Sequence, residues 1–326
     1  MGLLDIKPHQ VSRDLRGYSV MMYGAPKTGK TTTACKFPGA LLLAFEKGYS
    51  TIPGVYALPM NSWSEFKKLF TEFKDPAVQE KFQTIIMDTA DIAYALCEKF
   101  ICNRESDAKH DYQTVADIPF GKGYAMAMDE FDECIRKILQ LGYGLVLISH
   151  EQDKPMRNER GEEYNQLIPT VDKRARLVCE RTCDIIGYCR GVEDAEGRKS
   201  VRMFMRETNR FVAGSRFKYT PDSIELTYDN LVKAISDAID AQEAEISGST
   251  TYESYNMHKE EIEYDFKALM AEVQQTIGTL MSSRPEVEHK IVSIVDKHLG
   301  KGRKVSDCTP DQAALVDLVL NDLKHL

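Results

Sequence analysis

The sequence predicts an α/β fold with a mainly parallel sheet, followed by a small all-α module at the C-terminal end. Continuous apolar runs, such as 40–45, are typical of strands buried on both faces of a parallel sheet. Segments with helical periodicity alternate with these runs, which indicates crossover connections. After a Ser/Thr-rich stretch, only helical patterns remain. We therefore predict a core at 1–244, a linker at 245–257 and a helical module at 258–326.

The composition is that of a globular protein. Of the 326 residues, 43% are hydrophobic and 28% are charged, and no apolar run approaches the ~20 residues of a membrane span. The eight cysteines include no Cys-x-x-Cys pair, so we expect reduced thiols in the core and no zinc site. The N-terminus lacks a signal-peptide pattern. These features predict a cytoplasmic protein without a membrane partner.

The charge is unevenly distributed along the chain. The formal net charge of −8 does not suggest a nucleic-acid-binding protein. However, residues 154–221 hold 15 Lys and Arg against 10 Asp and Glu, a net charge of +5. Residues 222–326 hold 10 basic and 20 acidic side chains, a net charge of −10. The basic segment is therefore the region where a phosphate backbone would be met.

Residues 18–33 organise the core. The β-prone run Tyr18–Tyr23 leads into Gly24–Thr31, which fits the pattern G-x-x-x-x-G-K-[ST] at every fixed position. Glycines allow backbone N–H groups to converge on phosphate oxygens, and the helix expected near Lys30 adds its positive N-terminal end. We expect Lys30 to reach the β- and γ-phosphates and Thr31 to bind Mg²⁺. The predicted nucleotide-binding residues are Gly24, Ala25, Pro26, Lys27, Thr28, Gly29, Lys30, Thr31 and Thr32.

Three later strands end in polar residues suited to phosphate chemistry. Glu46 follows the apolar run after the first helix, and it is the predicted general base that orients water. Asp88 ends the next apolar strand and is predicted to hold Mg²⁺ opposite Thr31. His150 ends a further strand, where it would contact the γ-phosphate or its water. A purely structural strand-end residue is the alternative for Glu46 and His150. The predicted catalytic residues are Lys30, Glu46, Asp88 and His150.

Two polar segments, 103–124 and 151–170, are predicted to be long loops, and the second has the alternative of a hairpin. Basic residues of the second segment are placed to meet a phosphate backbone, although its acidic residues equally favour plain solvation. Three arginines, Arg206, Arg210 and Arg216, follow the last core strand. An arginine there can reach the γ-phosphate of a neighbouring subunit, and a surface role is the alternative for each one.

The order of Gly24–Thr31, Glu46, Asp88 and His150 resembles that of the RecA-like branch of the P-loop ATPases. A nearer likeness, over about residues 17–235, is to the phage-encoded nucleotide-binding proteins of that branch, which include the Sak-type single-strand annealing recombinases. The resemblance implies a RecA-like core that uses ATP and Mg²⁺, with Glu46 as the catalytic carboxylate. It also implies a ring or filament in which a neighbour's arginine completes the site.

One position departs from the RecA-like pattern. RecA-like helicases often carry Lys-x-Arg for the arginine that acts on the neighbouring subunit. Here Thr208 stands at the Lys position before Arg210. The assignment of this arginine therefore stays open, with Arg206 as a compensating cation.

The resemblance implies a DNA-stimulated ATPase that acts on single-stranded DNA in phage recombination, annealing or replication, in the cytoplasm of a bacterial host. The DNA-binding candidates are Lys122, Lys154, Arg157 and Arg160. Two other functions stay open. One is a nucleotide-gated scaffold or replication loader whose C-terminal module recruits a replication or recombination protein. The other is a small-molecule kinase.

Overall fold

A computed structural model describes residues 8–157, 160–252 and 264–326 of the chain. The chain divides into two compact units, 1–259 and 260–326. This boundary lies beyond the predicted linker at 245–257. The first part of that linker belongs to the first unit, because residues 250–251 pair with residues 11–12 as parallel strands. The remainder of the linker, from 253 on, lies outside the described residues.

The strands of the first unit are short. In chain order they are β1 (Val11–Ser12), β2 (Ser19–Gly24), β3 (Ala40–Ala44), β4 (Tyr56–Pro59), β5 (Thr84–Asp88), β6 (Gly144–Ser149), β7 (Glu151–Arg157), β8 (Glu163–Pro169), β9 (Ile185–Glu193), β10 (Lys199–Phe204), β11 (Gly214–Ser215), β12 (Ser223–Glu225) and β13 (Thr250–Thr251).

The helices of the first unit lie between these strands. They are α1 (Lys30–Ala34), α2 (Trp63–Glu72), α3 (Pro76–Lys81), α4 (Ala90–Glu105), α5 (Lys122–Gln140), α6 (Lys173–Thr182) and α7 (Tyr228–Glu245). The second unit contains α8 (Phe266–Ser283), α9 (Glu288–Leu299) and α10 (Ala313–Lys324). Within the described residues, no helix is both long enough and apolar enough to cross a membrane.

The main sheet has the order β12-β10-β9-β2-β6-β5-β3-β4, with β11 also paired to β9. The strands from β9 to β4 are parallel, and β10, β11 and β12 are antiparallel additions at one side. Strand β6 separates β2 from β5. Because parallel strands share a direction, the C-terminal ends of β2, β3, β5 and β6 meet at one edge of the sheet.

The buried strands have apolar residues on both faces, as a sheet covered by helices requires. Met21 and Leu43 pack towards one face, where Phe66 of α2 and Phe131 of α5 cover them. Alternate residues such as Leu42 pack towards the other face, which α7 covers. The continuous apolar pattern of 40–45 therefore has the physical cause that the sequence indicated.

Several elements differ from the predictions. Helix α4 was not predicted. Its buried residues, such as Ala93 and Cys97, lie mainly on one face, but apolar residues such as Ile92 and Phe100 lie off that face and weaken the helical period. As a result, the polar loop predicted at 103–124 is confined to 106–118, followed by a 3-10 turn at 119–121. The first helix begins at residue 30, where it was expected, and ends at 34.

The segment 151–170 takes the hairpin alternative. Strands β7 and β8 pair from Glu151↔Pro169 to Arg157↔Glu163, while residues 158–159 at the tip are not described. The second unit has its own core, formed by α8, α9 and α10. Helix α8 begins at Phe266, and the predicted start of this helix at 258 lies outside the described residues.

Candidate nucleotide-binding site

The phosphate loop joins β2 to α1. Gly24 has a φ of +149°, and a Cβ at this position would lie 2.1 Å from the carbonyl oxygen of Cys189 on β9. Only glycine therefore fits where the loop leaves the sheet. Gly29, with a φ of +87°, is the N-cap of α1 and takes the left-handed conformation. Both glycines of the motif are thus required by the backbone path, independently of any ligand.

Lys30 is buried within this loop, with 5% of its surface exposed. Its Nζ donates hydrogen bonds to the carbonyl oxygens of Gly24 and Ala25, each at 2.8 Å. Burial lowers the pKa of the Lys30 ammonium group. It also donates to Oγ1 of Thr28 at 3.4 Å. A desolvated cation that has these neutral oxygens as acceptors binds an anionic oxygen favourably, because charge-assisted hydrogen bonds are the stronger ones.

Asp88 and Thr31 lie side by side at the end of β5. The Thr31 hydroxyl donates to Oδ2 of Asp88 at 2.7 Å. Among the described residues, the buried Oδ1 of Asp88 has no hydrogen-bond partner. Burial raises the pKa of this carboxyl group to about 6. A buried carboxylate with one unsatisfied oxygen is costly by itself, and a bound cation would compensate it.

Gly48 shapes the space beside these oxygens. A Cβ at Gly48 would lie 3.5 Å from Oδ2 of Asp88, 3.6 Å from Oε1 of Glu46 and 3.9 Å from Oγ1 of Thr31. The absent side chain therefore leaves a small cradle lined by oxygen atoms, the ligand type that Mg²⁺ prefers. The residues present fit Mg²⁺, with Thr31 and Asp88 as the side chains that would hold it.

Glu46 and His150 face each other across Asp88. Strand β5 lies between β3 and β6, and the backbone N–H groups of Phe45 and Glu46 both donate to the Asp88 carbonyl oxygen, at 2.7 and 3.1 Å. Oε2 of Glu46 is 3.3 Å from Nε2 of His150. Each side chain is 29% exposed, so both reach the solvent-filled edge of the sheet. The sequence-predicted residues Lys30, Thr31, Glu46, Asp88 and His150 therefore converge on one site.

The comparison with protein families decides which kind of P-loop protein this is. A family model described as an AAA domain matches residues 16–217. The chain belongs to the AAA-domain family. The RecA-like α/β core predicted from the sequence is confirmed, and this AAA-domain protein is a nucleotide-binding protein of the P-loop ATPase type.

Two individual proteins resemble this AAA-domain protein. The SPbeta prophage-derived uncharacterized protein YorG of Bacillus subtilis (strain 168) is 32% identical over 323 residues, covering 97% of this chain and 95% of the relative. A KaiC-like protein, PH0186, from Pyrococcus horikoshii OT3 matches over 60% of this chain and 80% of its own, with 11% identity and a TM-score of 0.33.

The three arginines of the AAA-domain protein have different surroundings. Arg206 donates to the carbonyl oxygens of Phe217 and Lys218, at 3.0 and 2.7 Å. Arg216 forms an ion pair with Asp184 at 2.9 Å. Arg210 is exposed, and its guanidinium group has no hydrogen bond or ion pair within the described parts of the chain. Arg206 and Arg216 already have hydrogen-bond or ion-pair partners within the chain. Arg210 is therefore the remaining candidate for the predicted arginine that acts on a neighbouring subunit.

The predicted DNA-binding residues lie on two elements. Lys122 is the exposed first residue of α5, so it does not lie on a loop as predicted. Lys154 and Arg157 lie on β7, and Arg160 follows the undescribed tip. Arg157 is paired with Glu163 across the hairpin at 2.7 Å, which partly neutralises it. The hairpin begins directly after His150, so its basic residues follow the candidate site within a few positions of the chain.

Sequence reasoning missed a group of hydrogen bonds behind His150. The Thr170 hydroxyl donates to Oδ2 of Asp91 at 2.8 Å and lies 3.2 Å from Oγ of Ser149. The backbone N–H of Thr170 donates to the His150 carbonyl oxygen at 3.0 Å. These contacts fix the base of the hairpin against the end of β6. Their members are 21 and 79 residues apart in sequence, so no local pattern signals them.

Proposed function

We propose that this protein hydrolyses ATP and couples that hydrolysis to single-stranded DNA. One observation carries the hydrolytic part. Glu46 and His150 face each other on either side of Asp88, at the strand ends beside the phosphate loop. This pair is suited to holding and deprotonating a water molecule next to a bound γ-phosphate. Its chemistry fits water as the acceptor better than an alcohol bound in a separate pocket.

The chain's own residues supply the phosphate-binding groups and the general base of the reaction. The loop N–H groups and Lys30 bind the phosphate oxygens, and the carboxylate of Glu46 accepts a proton as water attacks the γ-phosphorus. The bond between the γ-phosphorus and the β–γ bridging oxygen breaks, giving ADP and phosphate. His150 stays within hydrogen-bonding reach of Glu46 and orients it. Mg²⁺ held by Thr31 and Asp88 would neutralise the charge that develops on the phosphate oxygens.

The proposed DNA contact rests on the position and charge of the β7–β8 hairpin. The hairpin projects from the end of β6 next to His150 and carries Lys154, Arg157 and Arg160. It begins the segment of net charge +5. Single strands are bound without sequence preference mainly through phosphates, so a basic hairpin is sufficient for such a role. The prophage origin of the relative agrees with a role in phage recombination, annealing or replication within a bacterial cytoplasm.

Self-association belongs to the same proposal. Arg210 is exposed and lies on the segment that pairs with the hairpin. In a ring or filament, an exposed arginine of one subunit can complete the γ-phosphate site of the next. The subunits would then share each active site, so that DNA bound to the hairpins affects hydrolysis in neighbours.

The experiment is steady-state ATP hydrolysis with Mg²⁺, with and without single-stranded DNA, at low salt. The Lys30→Ala variant is the blank. We expect DNA to increase the rate in the wild type and not in the variant. DNA binding measured by salt titration should weaken steeply with salt. Absence of hydrolysis would remove the enzymatic proposal, and hydrolysis without DNA binding at low salt would remove the DNA part alone.

A nucleotide-gated scaffold is the second candidate, and the separate helical unit favours it. Residues 260–326 form a compact unit with an apolar core of their own, as partner-recruiting modules do. In that case ATP would shape a surface for a replication or recombination protein. Slow hydrolysis that ignores DNA, with partner binding that depends on ATP, would support the scaffold. Transfer of phosphate to a nucleoside instead of water would establish a small-molecule kinase.

A further inference from the structure

A second layer of structure lies beside the strand that carries the phosphate loop. It is formed by β7, β8 and residues 208–212, and we call it the outer ribbon. The backbone N–H of Leu167 donates to the Arg210 carbonyl oxygen at 2.7 Å, and that of Val212 donates to the Leu167 carbonyl oxygen at 3.2 Å. The ribbon therefore joins the basic hairpin and residues 208–212, which we call the Arg210 segment, into one hydrogen-bonded element.

Tyr23 connects this ribbon to the main sheet. It immediately precedes Gly24 at the end of β2, and its side chain is fully buried. Its hydroxyl lies 2.5 Å from the Val212 carbonyl oxygen and 3.1 Å from the Leu167 carbonyl oxygen. A phenol has one proton, so it donates to one of these carbonyls or is shared between them. Both acceptors belong to the outer ribbon.

Aromatic packing stiffens the connection between Tyr23 and the outer ribbon, which we call the junction. The rings of Tyr23 and Tyr188 are 5.2 Å apart, and those of Tyr188 and Phe211 are 4.7 Å apart. Burial raises the pKa of the Tyr23 phenol, so that it stays protonated and able to donate. A movement of β2 at Tyr23 is therefore transmitted to Phe211 and the ribbon by packed rings as well as by the hydrogen bond.

Hydrogen bonds from Lys30 to the phosphate loop lie next to Tyr23 and can change when nucleotide binds. Lys30 donates to the carbonyl oxygens of Gly24 and Ala25, the two residues that follow Tyr23. A bound polyphosphate offers Lys30 a charged acceptor in place of these carbonyls. Loss of the contacts to Gly24 and Ala25 changes the backbone directly after Tyr23.

We propose that Tyr23 is a positioning residue that transmits nucleotide binding at the phosphate loop to the outer ribbon. The inference rests on the proposed function and deepens it, because the ribbon carries both the DNA-binding candidates and Arg210. Nucleotide in one subunit then sets the position of the arginine offered to its neighbour. The same movement reaches the DNA-binding hairpin, since β8 and the Arg210 segment are hydrogen-bonded to each other.

The test is amide hydrogen exchange of the full chain with and without Mg²⁺ and a non-hydrolysable ATP analogue. In the wild type, we expect nucleotide to slow exchange in segments 163–169 and 208–212 by about fivefold, the equilibrium effect of about one net hydrogen bond. The Tyr23→Phe variant keeps the ring contacts and removes only the hydroxyl, so this response should become smaller. The matched control is Tyr94→Phe, since Tyr94 is also buried and its hydroxyl has no partner among the described residues.

The outcomes separate this inference from the proposed function. An unchanged response in Tyr23→Phe overturns the inference, and so does a wild type that binds the analogue without any response in the two segments. Failure of the wild type to bind the analogue would remove the proposed function itself. A second variant, Phe211→Leu, weakens the same junction from the ribbon side, away from the loop, and should reduce the response in the same segments.

Discussion

At the scale of single residues, Asp88 shows how binding and stability oppose each other. Its carboxyl group is 2% exposed, and burial raises its pKa from 3.8 to about 6. The folded protein therefore holds the proton more tightly than the unfolded chain. Stability from this group is present below about pH 4, is lost as the pH rises through about 6, and stays lower above that.

We predict that the Asp88→Asn variant is more stable than the wild type at pH 8 in EDTA. The expected difference is about 3 kcal/mol at most, because each unit of pKa shift is worth about 1.4 kcal/mol. The difference should shrink towards pH 4, where the wild-type carboxyl group is protonated. Thermal or urea unfolding at both pH values checks this. The exposed Asp129→Asn variant is the control, and equal stability of wild type and Asp88→Asn at pH 8 would contradict the prediction.

Gly48 gives a second test at this scale. A Cβ there meets its nearest atom at 3.5 Å, which is ordinary contact, so Gly48→Ala should fold with unchanged stability. The methyl group would occupy the oxygen-lined cradle. We expect at least about a tenfold loss of Mg²⁺-dependent nucleotide binding, as the loss of ligand geometry at metal sites commonly costs. Titration of Mg²⁺ in a nucleotide-binding assay measures it.

The matched control for Gly48 is Gly191→Ala on β9, where a Cβ meets nothing within 4 Å. This variant adds the same methyl group away from the cradle and should bind Mg²⁺ and nucleotide as the wild type does. If Gly48→Ala behaves like Gly191→Ala, the cradle does not hold the metal ion.

At the scale of elements, the β7–β8 hairpin combines two opposite signals. Its strands pair along their full described length, and the described hairpin carries three basic residues together with four acidic ones, Glu151, Asp153, Glu162 and Glu163. Arg157 is paired with Glu163, yet both side chains are mostly exposed, so the pair contributes little to stability. Arg157 can therefore exchange Glu163 for a stronger anionic partner such as a phosphate backbone.

We predict that replacing Lys154, Arg157 and Arg160 by Ala weakens single-stranded DNA binding in a salt-dependent way. Each lost phosphate contact makes the negative slope of log K against log salt shallower by about 0.7. Its magnitude should therefore decrease by about 2. Fluorescence anisotropy at several salt concentrations measures the slope. The same change of charge at Lys267, Lys290 and Lys301 of the second unit is the control. An equal effect of both triple variants would indicate a general charge effect and no site on the hairpin.

At the scale of the whole molecule, the proposed active site needs a second copy. Glu46 and Arg210 would act in the same site but come from different subunits. We predict that the Arg210→Ala and Glu46→Gln variants are each inactive, whereas their mixture regains activity. In a random mixture, about a quarter of the head-to-tail interfaces would combine an intact Glu46 with an intact Arg210.

The control for this mixing test uses two residues of one subunit's site. A mixture of Lys30→Ala and Glu46→Gln should stay inactive if each site takes both residues from one chain. Hydrolysis measured at constant total protein gives the result. An inactive mixture of Arg210→Ala and Glu46→Gln would assign Arg210 a role within its own subunit or none.

The sequence by itself determined the phosphate loop, the strand-end residues and the type of fold. These signals are local: glycines are required where the backbone turns, and buried parallel strands need apolar residues on both faces. The match of residues 16–217 to the AAA-domain family confirms the fold that these patterns predicted. Helix α4 escaped prediction because apolar residues such as Ile92 and Phe100 lie outside its buried face and reduce the periodic contrast between apolar and polar residues.

Only the tertiary structure decided which distant residues work together. It gives Arg206 and Arg216 partners within their own chain, and it places Gly48 beside oxygen atoms of Thr31 and Asp88. It also joins Tyr23 to Leu167 and Val212. These contacts depend on the order of strands in the sheet and on loops that return from far along the chain. A sequence pattern records the neighbours of a residue along the chain, whereas its chemistry here depends on neighbours in space.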